Sequence, residues 1–205
     1  MSYKASGVII AVMPTAHGIT RNGKDWEKQE CVLEMSDKYH TDMSKKIILD
    51  ACCGSRMFWF DKKNPNVLFQ DIRDAEYTLC DGRKLEVHPD VVADFTAMPY
   101  PDSSFKLVVF DPPHLDNANE DAYMAQKYGT LRRFKWQEDI KKGFDECMRV
   151  LEPNGILIFK WNETRVPVSQ ILEIINERPL FGHKSGKASK THWMCFMKIS
   201  REIQS

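Results

Sequence analysis

The alternation of hydrophobic and polar positions changes character near residue 46, which divides the chain into two parts. Residues 5–14 are rich in β-branched side chains and residues 26–36 alternate polar with apolar positions, so both are predicted as strands. A loop with glycine and asparagine, residues 15–25, joins them. Residues 1–45 are therefore predicted to form a β-hairpin extension, which is too small to hold a core of its own.

From residue 46 onward, short apolar runs alternate with amphipathic stretches. The runs predict strands at residues 46–54, 66–73, 90–95, 105–113, 154–161 and 191–199. Residues 135–151 predict a helix, because their apolar side chains recur at helical spacing on one face, as do Ile140, Phe144, Cys147 and Leu151. Residues 166–177 repeat this pattern, with Pro167 near the start. Residues 46–205 are thus predicted as one α/β domain, with a doubly wound, mostly parallel sheet that is covered on both faces.

The composition is that of an ordinary soluble globular domain, with 42% hydrophobic and 28% charged residues. Lys+Arg and Asp+Glu are equal at 29 each, so a nucleic-acid surface would have to be a local patch. No apolar run approaches the ~18 residues of a membrane span, and the N-terminus shows no signal-peptide pattern. The 6 cysteines form no Cys-x-x-Cys pair, which favours reduced thiols and a cytoplasmic location over disulfides or a zinc site.

The first predicted strand of the domain leads into a turn that is a candidate for nucleotide binding, although nucleotide-binding turns are usually richer in glycine. Residues 47–55, IILDACCGS, are an apolar strand followed by an acid, small residues and a glycine, which let a backbone approach a ligand. Asp71 ends the next strand, about twenty residues beyond Asp50, where an acid accepts hydrogen bonds from ribose hydroxyls in Rossmann-like sites. The two features together favour a ribose-binding acid over a solvated carboxylate at a strand end.

Two longer segments carry a resemblance to a known family. Residues 91–113, VVADFTAMPYPDSSFKLVVFDPP, and residues 147–160, CMRVLEPNGILIFK, resemble the Rossmann-type S-adenosylmethionine-dependent methyltransferases. The resemblance covers about residues 46–200, although the first turn is poorer in glycine than is usual in the family. It implies a Rossmann-like sheet and S-adenosylmethionine as the cofactor. The implied cofactor contacts are Asp50, Ala51, Cys52 and Gly54 at the methionine part, Asp71 at the ribose, and Asp94 and Phe95 at the adenine.

The tetrapeptide Asp111-Pro112-Pro113-His114 follows the fourth predicted strand of this domain directly. Adjacent prolines cannot donate backbone hydrogen bonds, so they end the strand and stiffen the turn. The tetrapeptide resembles the Asp/Asn/Ser-Pro-Pro-aromatic signature of methyltransferases that act on amino nitrogens, chiefly the exocyclic amines of bases. In such a site a carboxylate and a carbonyl hold the amine hydrogens, so that the nitrogen lone pair points at the methyl group. The four residues are therefore predicted to be catalytic, with His114 where an aromatic ring is usual.

Two basic stretches are candidates for contact with a substrate. Arg132, Arg133, Lys135 and Trp136 lie at the end of a long polar segment, residues 115–137, and suit phosphate contact with base stacking. An equally good interpretation is a charged helix entry whose aromatic side chains pack into the core. Residues 182–193 are predicted to form a basic hairpin rim that faces nucleic acid.

The sequence thus predicts an S-adenosylmethionine-dependent N-methyltransferase that acts on an exocyclic amino nitrogen of a base in DNA or RNA. Residues 5–36 of the extension, with WEKQE at residues 26–30, also resemble the opening two strands of small OB-like single-stranded-DNA-binding domains. No membrane partner is predicted, and the oligomeric state stays open. Two alternatives stay open as well: methylation of a small amine or a protein side chain, and a nucleic-acid-binding module that has lost catalysis.

Overall fold

The computed structural model of the chain describes residues 46–114, 129–132, 134–186 and 189–199. The predicted β-hairpin extension, the segment 115–128 and Arg133 lie outside the described residues. In chain order the described elements are β1 (Ile48–Asp50), β2 (Val67–Asp71), β3 (Ala75–Thr78), β4 (Lys84–Val87), β5 (Val91–Val92), β6 (Phe105–Phe110), α1 (Trp136–Val150), β7 (Leu151–Asn162), α2 (Val168–Ile175), β8 (Phe181–Lys184) and β9 (Thr191–Met197).

The central sheet has the strand order β5-β2-β1-β6-β7-β9-β8. The strands β5, β2, β1, β6 and β7 pair in parallel, and β9 runs antiparallel to both of its neighbours. Each of the six predicted strands of the domain overlaps one of these strands. The prediction of a mixed α/β fold with a largely parallel sheet is therefore confirmed.

The two described helices lie on one face of the sheet. The crossovers from β6 through α1 to β7, and from β7 through α2 to β8, advance in the same direction across the sheet, so right-handed connections place both helices on the same side. The helices contact each other, and α1 contacts β6 and β7. Buried aromatic side chains fill the space between them and the sheet; they include Phe110, Phe144, Phe159 and Trp161.

Among the described residues, the predicted helical cover of the opposite face does not appear. Residues 51–66, which connect β1 to β2, form successive turns and no helix. Their sequence explains this, because Gly54 and Arg56 adopt positive φ angles and Asn64-Pro65 ends any regular structure. Trp59 covers this face instead, with its ring edge-on to Phe69 at 5.4 Å between centroids. An aromatic loop thus does the packing that a helix was expected to do.

One glycine sets how closely α1 approaches the sheet. A Cβ atom on Gly143 would lie 2.5 Å from Cδ2 of Phe95 and 2.8 Å from Cζ of Phe110. Glycine within a helix is unfavourable by roughly 1 kcal/mol relative to alanine, so this position reflects close packing and not helix propensity. This contact packs α1 closely against Phe95, which lies in the segment after β5.

Besides the pairing of β6 with β7, one arginine connects the two segments that carry the family resemblance. Arg149 of α1 donates hydrogen bonds to the carbonyl oxygens of Met98 at 3.1 Å and Tyr100 at 2.7 Å. Glu146, one turn earlier, accepts a hydrogen bond from the Met98 amide at 2.7 Å and pairs with Arg149. This network fixes the chain between β5 and β6, and therefore the point at which β6 begins.

The described residues also form two antiparallel strand pairs, β3–β4 and β8–β9. The hairpin β3–β4 was not predicted, although its turn contains Asp81-Gly82, a dipeptide that favours hairpin turns, with Gly82 at a φ of 80°. The predicted basic stretch at residues 182–193 contributes to the antiparallel pair β8–β9. Neither described helix has the length and apolarity that a membrane span requires.

Candidate active site

A cavity of about 670 Å³ lies at the carboxyl edge of the parallel strands. Its volume is within the range of small-molecule sites, and this edge is where ligands bind in open α/β sheets. The lining comes from the residues that follow β1, β2, β5 and β6, from the start of α1 and from β7. The lining includes Ala51, Cys52, Gly54, Phe58, Asp71, Arg73, Asp94, Phe95, Asp111, Pro112, Pro113, His114, Gly129, Arg132, Asp139 and Lys160.

Asp50, at the end of β1, is fully buried and does not line the cavity, whereas the next residue, Ala51, does. Its Oδ2 accepts a hydrogen bond from the Trp59 indole at 2.7 Å, and its Oδ1 accepts one from the Cys52 amide at 3.3 Å. Burial raises the pKa of Asp50 to about 7, against the smaller opposing effect of these hydrogen bonds. In this conformation Asp50 shapes the first turn through Trp59 and Cys52. The predicted contact with a cofactor stays a prediction.

Asp71, at the end of β2, is surrounded by hydrogen-bond donors. Its Oδ2 accepts from the Gly54 amide at 2.8 Å, which connects the first turn to β2. Its Oδ1 accepts from the Arg73 amide at 3.0 Å and from Arg73 Nε at 3.1 Å, and Nη2 of the same guanidinium lies 3.5 Å from Oδ2. Two donors at each oxygen fill the four acceptor positions of a carboxylate. A ligand hydroxyl can therefore reach Asp71 only by replacing the Arg73 side chain.

Asp94 and Phe95, which follow β5, line the same cavity. Oδ1 of Asp94 accepts hydrogen bonds from the amide and the hydroxyl of Thr96, both at 2.8 Å, which fixes the orientation of the carboxylate. Among the described residues, none donates a hydrogen bond to Oδ2 of Asp94. The Phe95 ring packs edge-on to Phe110 at 5.4 Å between centroids and against Gly143. An oriented acceptor beside a fixed aromatic ring is chemically suited to an aromatic amine.

Asp111 and Lys160 form an ion pair at the end of β6 and β7. Lys160 Nζ lies 2.5 Å from Asp111 Oδ2, and each side chain is about one-quarter exposed, at 24% and 23%. The two strands pair with Phe110 opposite Phe159, so the next residue on each strand is one of the two charged partners. Burial raises the pKa of Asp111 while the Lys160 charge acts in the opposite direction.

Aromatic rings and His114 surround this ion pair. Lys160 Nζ lies 5.5 Å from the centroid of the Phe58 ring and 5.6 Å from that of Trp193, distances at which a cation is attracted to a ring face. Burial and the Lys160 charge both lower the pKa of His114. The imidazole is therefore neutral near pH 7, which suits stacking against a planar ligand.

The second proline of the turn, Pro113, lies against Gly129, which also lines the cavity. Gly129 has a φ of 72°, and a Cβ atom there would lie 3.2 Å from Cγ of Pro113. A larger residue would be strained at this angle and would press on the proline. Pro112 is buried and also lines the cavity. The turn is thus packed closely against Gly129 at Pro113.

The predicted substrate-binding residues at the start of α1 have different environments in the structure. Arg132 lines the cavity and donates two hydrogen bonds to the buried carboxylate of Asp139. Lys135 is exposed at the N-terminus of α1. Trp136 is only 7% exposed and belongs to the hydrophobic core, which is the packing alternative that the sequence left open. Arg133 lies outside the described residues.

The cavity also contains residues that were not predicted from the sequence, among them Phe58, Arg73 and Lys160. Lys160 carried a signal, because it interrupts the apolar run ILIF with a charge at the end of a predicted strand, as Asp111 does on the neighbouring strand. Phe58 lies in a connection without regular periodicity, and Arg73 is the polar last residue of the predicted strand 66–73, so no pattern distinguished either from solvated residues.

No protein-family model matches the chain, and no curated protein does so either. Similar solved structures include the N-methyltransferase NodS from Bradyrhizobium japonicum, 12% identical over 87% of this chain and 99% of that one, with a TM-score of 0.47. A putative rRNA-methylase from Clostridium thermocellum is 15% identical over 82% of this chain and 97% of its own, with a TM-score of 0.48. A TehB-like SAM-dependent methyltransferase from Corynebacterium glutamicum is 14% identical over 86% and 97%, with a TM-score of 0.47. At these identities and TM-scores, similarity carries no function to this chain.

Proposed function

We propose that the protein is an S-adenosylmethionine-dependent methyltransferase that methylates an exocyclic amino nitrogen of a base in nucleic acid. The observation that carries the proposal is one cavity that joins the strand-end acids Asp71 and Asp94 to Asp111 of the Asp-Pro-Pro-His turn. A nucleoside-containing cofactor needs acceptors for hydroxyl and amine hydrogens, and an amine acceptor needs a carboxylate beside the methyl group. The cavity offers both in one continuous space.

The residues around the first half of the cavity fit such a cofactor. S-adenosylmethionine, when bound, supplies a methyl group on a positively charged sulfur. Asp94 would accept from the adenine amine, and the ring of Phe95 would pack against the base. Gly54 and Arg73 orient Asp71 through their backbone amides, so the carboxylate keeps its position when the Arg73 guanidinium moves away. Ribose hydroxyls would then take the acceptor positions that the guanidinium leaves.

The residues around the second half would hold the amine that is methylated. An aromatic amine is a poor nucleophile because its lone pair is delocalised into the ring. Asp111 and a carbonyl of the proline turn would accept its two hydrogens, which favours a pyramidal nitrogen with its lone pair directed at the methyl group. Positioning and oriented acceptors then account for most of the rate. The neutral ring of His114 would stack on the base.

The decisive test is calorimetry with S-adenosylmethionine, followed by transfer of a labelled methyl group to DNA, RNA, small amines and peptides. We expect saturable cofactor binding and label in an amino group of a base. Label only in a small amine or a peptide would overturn the nucleic-acid acceptor. Absence of cofactor binding would overturn the whole proposal.

Replacing Asp71 by alanine should weaken S-adenosylmethionine binding by about 1–3 kcal/mol, because hydroxyls lose a charged acceptor. Arg73→Ala is the matched control, since both substitutions break the same ion pair but only the first removes the acceptor. Arg73→Ala should bind the cofactor at least as tightly as the parent, because no side chain then has to be displaced. Calorimetry on folded variants measures both. Equal weakening in the two variants would mean that the ion pair matters and not the acceptor.

A further inference from the structure

We propose that Lys160 is a specificity-determining residue that donates a hydrogen bond to the ring nitrogen beside the methylated amine. The inference rests on the proposed function and extends it, since it names what the base must present next to its amino group. It makes Asp111 and Lys160 one recognition unit, in which the carboxylate accepts from the amine and the ammonium donates to the neighbouring ring atom.

The geometry of the ion pair leaves both partners with capacity for a ligand. An ammonium has three N–H donors and a carboxylate two oxygens. Lys160 uses one donor on Asp111 Oδ2, and among the described residues no other acceptor is within hydrogen-bond distance of its Nζ. The described residues likewise place no donor on Asp111 Oδ1. Both side chains line the cavity, so the unused donor and acceptor groups lie side by side at its wall.

Stability does not account for a charged pair at this place. A partly buried ion pair is often no more stabilising than apolar side chains of similar size, because both charges lose hydration. Aromatic rings also hold the ammonium in position: Phe58 and Trp193 lie edge-on to each other at 5.9 Å and both face Lys160. A long, flexible lysine that is fixed on three sides suits recognition better than filling of space.

The chemistry of the pair selects among acceptors. Exocyclic amines of bases have a ring nitrogen with a free lone pair beside the amino group: in adenine, N1 is bonded to the carbon that carries N6, and N7 flanks N6 on the other side, so that N6 and N7 present a donor beside an acceptor. Alkylamines and lysine side chains have no such neighbouring acceptor. The pair is also neutral as a whole, whereas an isolated Asp111 would attract cationic amines. A neutral heteroaromatic amine is therefore the acceptor that uses every group of the site.

The test compares methyl transfer to oligonucleotides with a natural target base and with deaza analogues, in which each ring nitrogen next to the methylated amine becomes C–H. For the parent protein we expect kcat/KM to fall about 10- to 100-fold for one analogue, the loss of a hydrogen bond to a charged donor. Lys160→Met should be slower on the natural base and should no longer distinguish the analogue from it. Lys160→Arg, which keeps a donor, should retain part of the selectivity.

Lys106→Met on the neighbouring strand β6 is the control, because Lys106 is exposed and outside the cavity lining, and it should keep the selectivity of the parent. The comparison on the parent needs no variant and therefore does not depend on how well Lys160→Met folds. A parent that methylates natural and deaza bases equally well overturns this inference and leaves the proposed function intact. A parent that methylates no base overturns both.

Discussion

Replacing Asp111 by alanine should lower methyl transfer by about 100- to 1,000-fold, the effect of losing one oriented polar group at the reacting centre. The affinity for S-adenosylmethionine should stay near that of the parent, because an interaction with the amine is made in the transition state and not with the cofactor. Asp111→Asn keeps one carbonyl acceptor in the same place and should retain more activity. Single-turnover transfer of labelled methyl, with calorimetry of the cofactor, separates the two effects.

The ion pair with Lys160 requires a further variant for this prediction. Asp111→Ala leaves the ammonium of Lys160 without its carboxylate, and an unpaired, partly buried charge in the cavity is by itself a cause of slower transfer. The double variant Asp111→Ala, Lys160→Met removes both charges. We expect it to be as slow as Asp111→Ala. Recovery of activity in the double variant would mean that the unpaired ammonium of Lys160 causes the defect. Near-parental activity of Asp111→Ala would mean that the Asp-Pro-Pro-His turn only ends the strand and takes no part in methyl transfer.

Convergence of the acids at one edge could be predicted because it follows from the sheet itself. Asp71 and Asp111 each end an apolar run, and parallel strands present their carboxyl ends at the same edge. The cavity lining contains both, together with Asp94 after β5. The prediction of parallel strands was enough to place these acids at one edge of the sheet, and no side-chain contact had to be known.

The partners of these acids could not be predicted, because they depend on register and on side-chain conformation. Arg73 contacts Asp71 because of the turn that follows β2, whereas the sequence predicts Arg73 as the last residue of a strand. Lys160 meets Asp111 because Phe159 pairs with Phe110, which a shift of one residue would undo. The aromatic loop at residues 51–66 was missed for a related reason: turns have no period from which packing can be inferred.

The free energy of unfolding should fall as pH rises from about 4 to 7, because of the buried carboxyl of Asp50. Burial raises its pKa from 3.8 to about 7, so the folded chain keeps a proton that the unfolded chain releases in this window. The contribution of Asp50 is therefore fully present below about pH 4 and is lost as pH approaches 7. Linkage gives up to about 4 kcal/mol over that range. Asp50→Asn cannot ionise, so relative to the parent it should gain that amount between pH 4 and 7.5, measured by denaturant unfolding.

The slope with pH, and not the stability at a single pH, is the quantity that identifies Asp50. An asparagine can still accept the hydrogen bond from Trp59, but its amide group faces the Cys52 N–H, which adds a cost that is the same at every pH. Glu173→Gln on α2 is the control: this exposed side chain is hydrated in both states, so the variant should run parallel to the parent. If Asp50→Asn also runs parallel to the parent, the Asp50 carboxyl is hydrated in the folded protein, and the close packing of Trp59 over the first turn is not maintained in solution.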